Sequence, residues 1–142
     1  MDLGLRRRML TVGRTMAAPP AAAWAVLTDL DAWPSWGPTV QRAELSGPGP
    51  LRLGSRGRVW TPVGVPLPFE ITEFDDGHGW AWKVAGVSAT RHTVEQSGAG
   101  CRVTFGVPVW APVYLTVCAM GLRRIEALTA NGALGADGAG VE

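Results

Sequence analysis

The sequence predicts an α+β fold in which a curved antiparallel sheet of seven strands closes around one long C-terminal helix. Two observations carry that expectation. The hydrophobic periodicity runs as strand, two short helices, six strands and a long helix. The six later strands are separated by turn clusters at hairpin spacing, among them Gly47-Pro48-Gly49-Pro50, Asp75-Asp76-Gly77 and Ser97-Gly98-Ala99-Gly100. Such a sheet has one apolar face to cover, and the last helix is the element long enough to cover it.

Residues 1–8 read as an N-terminal arm whose Arg6-Arg7-Arg8 run is a solvated charge cluster. Met9 to Ala17 is the first strand, with Leu10, Val12 and Met16 on one side and Arg14 sharing their parity. Arg14 is then either solvated at a strand end or a buried counter-charge. Pro19-Pro20 opens a short helix, Ala21 to Leu30. A proline-broken helical turn, Asp31 to Pro38, follows; its Trp33 and Trp36 bury much area if covered and mark a binding rim if not. Strands are expected at 40–45, 55–61, 67–74, 80–87, 90–96 and 102–109.

The long helix spans Pro112 to Ala130, with Tyr114, Cys118, Gly121, Ile125 and Leu128 on one face and Thr116, Arg123 and Glu126 opposite. Pro112 is its start signal and Asn131-Gly132 its stop. Gly121 lies mid-face and costs about 1 kcal/mol against Ala, so its missing side chain makes room for either a strand backbone or a ligand. The Gly/Ala-rich residues 132–142 read as a disordered tail, which leaves 9–131 as a single domain.

With a net charge of +1 across 142 residues, nothing electrostatic suggests nucleic acid or an anionic membrane as partner. Cys101 and Cys118 have no metal-ligand spacing, and no signal peptide precedes the first strand, so no metal and a reduced cytoplasm are expected. Val103 to Leu122 is uncharged and long enough for a membrane helix, but Pro108 and Pro112 split it into a strand and a helix. No Gly-rich phosphate loop and no Gly-x-Ser-x-Gly elbow is present, and no cofactor is expected.

Together with this order of elements, AAAWAVLTDLDAWPSWGPTVQRAEL at 21–45 and GLRRIEAL at 121–128 resemble the polyketide cyclase/dehydrase-like families of the START-like (SRPBCC) superfamily. The resemblance spans about residues 9 to 130. It implies a helix-grip fold: a sheet wrapped on the C-terminal helix, two short helices plugging one end, and an internal cavity for hydrophobic small molecules. Asp31-Ala32-Trp33-Pro34 is similar to a passage in aromatic polyketide aromatase/cyclases. Where those enzymes carry a tyrosine and an arginine, this chain has Val40 and Glu73, so their catalytic residues are not carried over.

Alternation selects the inward side chains independently of any family. Leu67, Phe69, Ile71 and Glu73 share one parity; Trp80, Trp82 and Val84, then Thr90, His92 and Val94, then Val103, Phe105 and Val107 complete the face. The candidate ligand-binding set is Trp36, Phe69, Ile71, Trp82, Val94, Phe105 and Val107, with Val117, Cys118 and Gly121 from the helix. The polar exceptions, His92 and Glu73, form a candidate acid/base pair across an intervening strand, with Tyr114 as a third candidate. Each also has a structural reading: a hydrogen-bonded core histidine, a strand-end carboxylate in water, a packed tyrosine.

Two functions follow. One is a cofactor-independent enzyme that assists cyclisation, dehydration or isomerisation of a polyketide-type substrate, the choice that the resemblance favours. The other is a carrier for a hydrophobic metabolite or lipid. A weaker third is a partner subunit docking through exposed tryptophans; the expected assembly is a monomer or homodimer.

Overall fold

The computed structural model describes the backbone of residues 2–6, 9–108 and 114–141 and the side chains of 9–108 and 115–130. The helix-grip architecture is the one observed. Strands β1 (Asp2–Arg6), β2 (Met9–Met16), β3 (Arg42–Leu45), β4 (Arg56–Trp60), β5 (Pro66–Asp75), β6 (Gly79–Val84), β7 (Val87–Ser97) and β8 (Gly100–Pro108) form one sheet in the order β1-β2-β8-β7-β6-β5-β4-β3. Every neighbouring pair is antiparallel. The seven strands expected from sequence are β2 to β8. The presumed N-terminal arm adds an eighth, β1, as a hairpin on β2.

Helix α1 (Pro20–Thr28) begins with Pro20 in its first turn, where a missing N–H leaves no bond unmade. A 3-10 turn (Leu30–Ala32), capped by the Asp29 carboxylate accepting from the Asp31 amide at 3.0 Å, leads into α2 (Trp33–Trp36). The two indoles then turn back on α1. Trp33 Nε1 donates to the Leu27 carbonyl at 2.9 Å and Trp36 Nε1 to the Val26 carbonyl at 3.4 Å. Those carbonyls sit at the helix C-terminus, where no amide of the helix remains to bond them. This local need fixes both tryptophans inward, and both are buried.

Helix α3 runs from Tyr114 to Val141. It passes through Asn131-Gly132 instead of stopping there, so 132–141 continue the helix where a tail was expected. Asn-Gly permits a left-handed stop without compelling one, and the following alanines favour helix. The expected start at Pro112 lies outside the described residues. The buried face of α3 is Cys118, Gly121, Leu122, Ile125 and Thr129. Glu126 is not opposite the core; it pairs with Arg14 of β2, Nη2 to Oε1 at 2.7 Å. Arg14 therefore has a counter-charge but is not buried: its side chain stays 38% exposed.

Val103 to Leu122 divides between β8 and α3, and among the described residues no helix is long and apolar enough to cross a membrane. Between β6 and β7 the chain turns on Ala85 and Gly86, both at positive φ (52° and 77°), so β7 begins at Val87. The sequence reading started it at Thr90 because an alanine does not advertise a left-handed turn.

Candidate functional site

The inner face of the sheet divides into two zones. Helix α1 packs against β7 and β8. There Ile71, Val94 and Val103 are closed into a core with Leu27 and Ile125. Beyond α2 lies a cavity of about 480 Å³ between the sheet, the turn after α2 and the first turns of α3. Trp33, Trp36, Trp80, Trp82 and Phe105 form its aromatic wall, and Val107, Val117 and Cys118 add aliphatic and thiol surface. Thr61 and Pro62 of the β4–β5 connection and Val87 and Ser88 at the start of β7 also line it. Burial pushes the Cys118 thiol up to about 12, so it packs as a small apolar group and offers no thiolate.

His92 is the polar centre of the wall. Its ring stacks on Trp80 with centroids 3.9 Å apart, and Trp80 stacks in turn on Trp33 at 5.1 Å. Phe105 meets the imidazole edge-on at 4.8 Å. The hydrogen bonds have a defined direction. The Trp80 carbonyl can only accept, so His92 Nδ1, 3.4 Å away, carries the proton. Nε2 is then the acceptor and receives the Thr90 hydroxyl proton at 3.0 Å. The Trp82 indole can only donate, and it donates to the same hydroxyl oxygen at 3.0 Å. Desolvation holds the imidazole pKa at about 3, down from 6.5, and the bond to the Trp80 carbonyl opposes this only in part. At neutral pH His92 is uncharged, with both nitrogens occupied.

The other candidates are distributed by the same geometry. Trp36, Trp82, Phe105, Val107, Val117 and Cys118 line the cavity, Trp36 as a buried wall and not as the exposed mouth. Phe69 does not line it. Its ring is enclosed by Trp33 at 5.7 Å and Trp82 at 5.5 Å, which stand between it and the space. Ile71 and Val94 are core because the helical end of the sheet is filled. Gly121 leaves no room for a ligand: a Cβ there would stand 3.1 Å from the Trp36 carbonyl oxygen and 3.4 Å from the Phe105 ring. Its missing side chain serves the close approach of α2.

Glu73 is not in the cavity. A bulge between Ile71 and Glu73 inserts one residue into β5, so Ile71 opposes Trp82 but Glu73 opposes Ala81. The parity shared by Leu67, Phe69 and Ile71 breaks there, and Glu73 emerges on the outer face. It reaches across Ala81 to Arg91, Oε2 to Nε at 3.2 Å. The proposed Glu73–His92 pair is separated by the sheet itself. The Tyr114 side chain lies outside the described residues. Sequence reasoning passed over Trp33, Trp80 and Thr90 as site residues, although Thr90 shares the parity of His92 and both tryptophans were visible as large apolar groups.

A family model described as polyketide cyclase / dehydrase and lipid transport matches residues 8–131. No curated protein matches the sequence. Among solved structures, protein Ms6760 from Mycobacterium smegmatis is 21% identical with a TM-score of 0.63, over 93% of this chain and 98% of that one. Protein MLL2253 from Mesorhizobium loti has a TM-score of 0.69 at 14% identity, over 87% of this chain and 98% of that one. DynU16, a protein in the dynemicin biosynthetic locus, has a TM-score of 0.65 at 17% identity, over 89% of this chain and 49% of that one. At these identities the likeness is one of fold.

Proposed function

This chain belongs to the polyketide cyclase / dehydrase and lipid transport family, and on that premise we propose that its cavity binds a bulky hydrophobic small molecule and guides its cyclisation, dehydration or isomerisation in a polyketide-type biosynthetic pathway. One observation carries the reading: a space of about 480 Å³ walled by aromatic rings, with the hydrogen-bonded pair Thr90 and His92 in that wall. That volume suits a drug-sized ligand. The likeness to a protein of a biosynthetic locus supports the class of chemistry.

The contribution of the protein is shape. An extended reactive chain held against rigid rings has few conformations left, and water is kept from its electrophilic carbons. Proton transfer by His92 is not part of this mechanism. A useful general acid or base near neutrality has a pKa near the operating pH and a free nitrogen, and His92 has neither. The same closed chain favours a second reading, in which the ligand is carried unchanged.

Native mass spectrometry of the purified protein for a co-purified small molecule, followed by single-turnover assays with it, tests both. A cyclised or dehydrated product formed faster with protein supports guidance; unchanged ligand selects the carrier. His92→Gln should keep its turnover per folded molecule. A loss of about 10² to 10⁴ with ligand binding intact would restore His92 as the proton-transfer group. Failure to bind any apolar compound would end both readings.

A further inference from the structure

The cavity lining meets solvent at Thr39, Pro62, Val87 and Ser88, none of them charged. Beside this opening the described residues expose aliphatic side chains: Val63 is 84% exposed, Val87 51% and Val65 49%. Two hairpin tips hold them there. The β4–β5 tip is closed by the Thr61 amide donating to the Val65 carbonyl at 2.9 Å, the Gly64 amide to the Thr61 carbonyl at 2.8 Å and the Val65 amide to the Thr61 hydroxyl at 3.2 Å. The β6–β7 tip is tied to β5 by the Ala85 amide donating to the Pro68 carbonyl at 2.7 Å. The exposure is therefore a built geometry, and it leaves apolar area that a partner would cover.

Neither tip carries a charge, residues 61–68 and 84–90 being uncharged throughout, and cations stand just behind them. Arg42 and Arg58 flank the Trp60 ring, with Cζ 4.8 and 5.5 Å from its centroid, and Lys83 directly precedes Val84. Arg42 pairs with Glu44, and Arg56, deeper on β4, pairs with Glu70. Four cations thus meet two carboxylates at this end of β3 to β6, whereas Asp75 and Asp76 lie at the far end of β5. At the other edge of the sheet β1 ends on Arg6, opposite Met9, which is opposite Pro108 of the lining. A net charge of +1 conceals a basic end, and it is the end at which the cavity opens.

We infer that this opening docks on an anionic lipid bilayer, with the valine tips in its apolar boundary and Arg42, Arg58 and Lys83 among the headgroups. Uncharged aliphatic tips ahead of cations match the depth profile of a membrane interface, and Trp60 is the kind of ring favoured at headgroup level. An acidic protein fits less well, because protein contacts are anchored by aromatic or arginine side chains in pockets, and separate protruding valines provide neither. Docked in this way, the protein exchanges an apolar ligand with the bilayer without exposing it to water. That purpose rests on the proposed ligand-binding role; the docking does not.

Co-sedimentation with vesicles of phosphatidylcholine alone, or with about 30% phosphatidylglycerol, tests the docking in the absence of ligand. The expected partitioning is about 10-fold stronger on the anionic vesicles in about 0.1 M salt, and falls to the phosphatidylcholine level in about 0.5 M. The exposed triple change Val63→Ser, Val65→Ser and Val87→Ser should weaken partitioning on both vesicles by at least about 10-fold at an unchanged melting temperature. Arg58→Gln with Lys83→Gln should abolish the anionic preference, whereas Arg58→Lys keeps it. Arg52→Gln with Leu53→Ser changes an exposed cation and an exposed aliphatic outside the tips and should alter nothing; a loss equal to that of the tip variants would reduce the binding to unspecific adsorption and overturn the inference. Salt-sensitive binding that ignores the valines would also overturn it and mark the cations as a site for an acidic protein. No partitioning on either vesicle, with an apolar probe still bound from solution, would end the docking and leave the cavity reading standing. Partitioning as expected by a protein that takes up no apolar probe would leave the docking and end the cavity reading.

Discussion

Arg91 and His92 are adjacent on β7 and belong to two rungs that cross the same three strands. The outer rung is Glu73–Ala81–Arg91 and the inner one Phe74–Trp80–His92. On the outer rung a carboxylate and a guanidinium meet over a small alanine, with the carboxylate side chain 48% exposed. The inner rung packs an uncharged imidazole, 2% exposed, among rings. The residue types alone suggested an acid and a base working together. Their faces separate them, and each polar group takes its role from what lies on its side of the sheet: water and a counter-charge outside, a saturated hydrogen-bond chain inside.

The contrast breaks most visibly from the inner side. Trp33→Ala removes the ring stacked on Trp80 together with the indole donor to the Leu27 carbonyl, and should destabilise the protein by about 3–5 kcal/mol in denaturant unfolding. A loss below about 1 kcal/mol would mean that the aromatic stack is not a structural unit.

A smaller effect appears with pH. The folded-state pKa of His92 lies below its unfolded value, so the unfolded chain takes up the proton first. This contribution to stability is complete above about 6.5 and is lost as pH falls towards about 3, amounting to about 2 kcal/mol between pH 7 and pH 5. His92→Gln should flatten the wild-type curve by that amount over the same interval. Superimposable slopes for the two proteins would show that His92 is not held neutral.

The outer rung should respond least. Glu73→Gln breaks a solvent-screened pair and should change stability by less than about 1 kcal/mol, with binding of an apolar probe unaltered. A tenfold loss of probe binding in that variant would put Glu73 back at the cavity.

Most of the architecture could be read along the chain because its signals are local. Alternation located β2 to β8, and Pro20 marked the start of α1. The same alternation put Trp82, His92, Phe105 and Val107 on the inner face, where they line the cavity. It misplaced Glu73 because the bulge in β5 changes parity without any residue that announces it. Gly121 was recognisable as a close-approach position, but the neighbour that approaches, the Trp36 carbonyl, is distant in sequence.

The sequence by itself determined the family of shapes: which stretches pair as strands, which helix covers them, and that the enclosed face is apolar. Those follow from periodicity and turn chemistry, which act over a few residues. Only the tertiary structure decided where the apolar face ends as core and opens as cavity, and that His92 is neutral. Both depend on what stands opposite each residue: α1 over Val94, Trp36 and Phe105 around Gly121, Thr90 and the Trp80 carbonyl at the two nitrogens of one imidazole. Desolvation and hydrogen-bond direction are properties of an enclosure, and an enclosure exists only when distant segments meet.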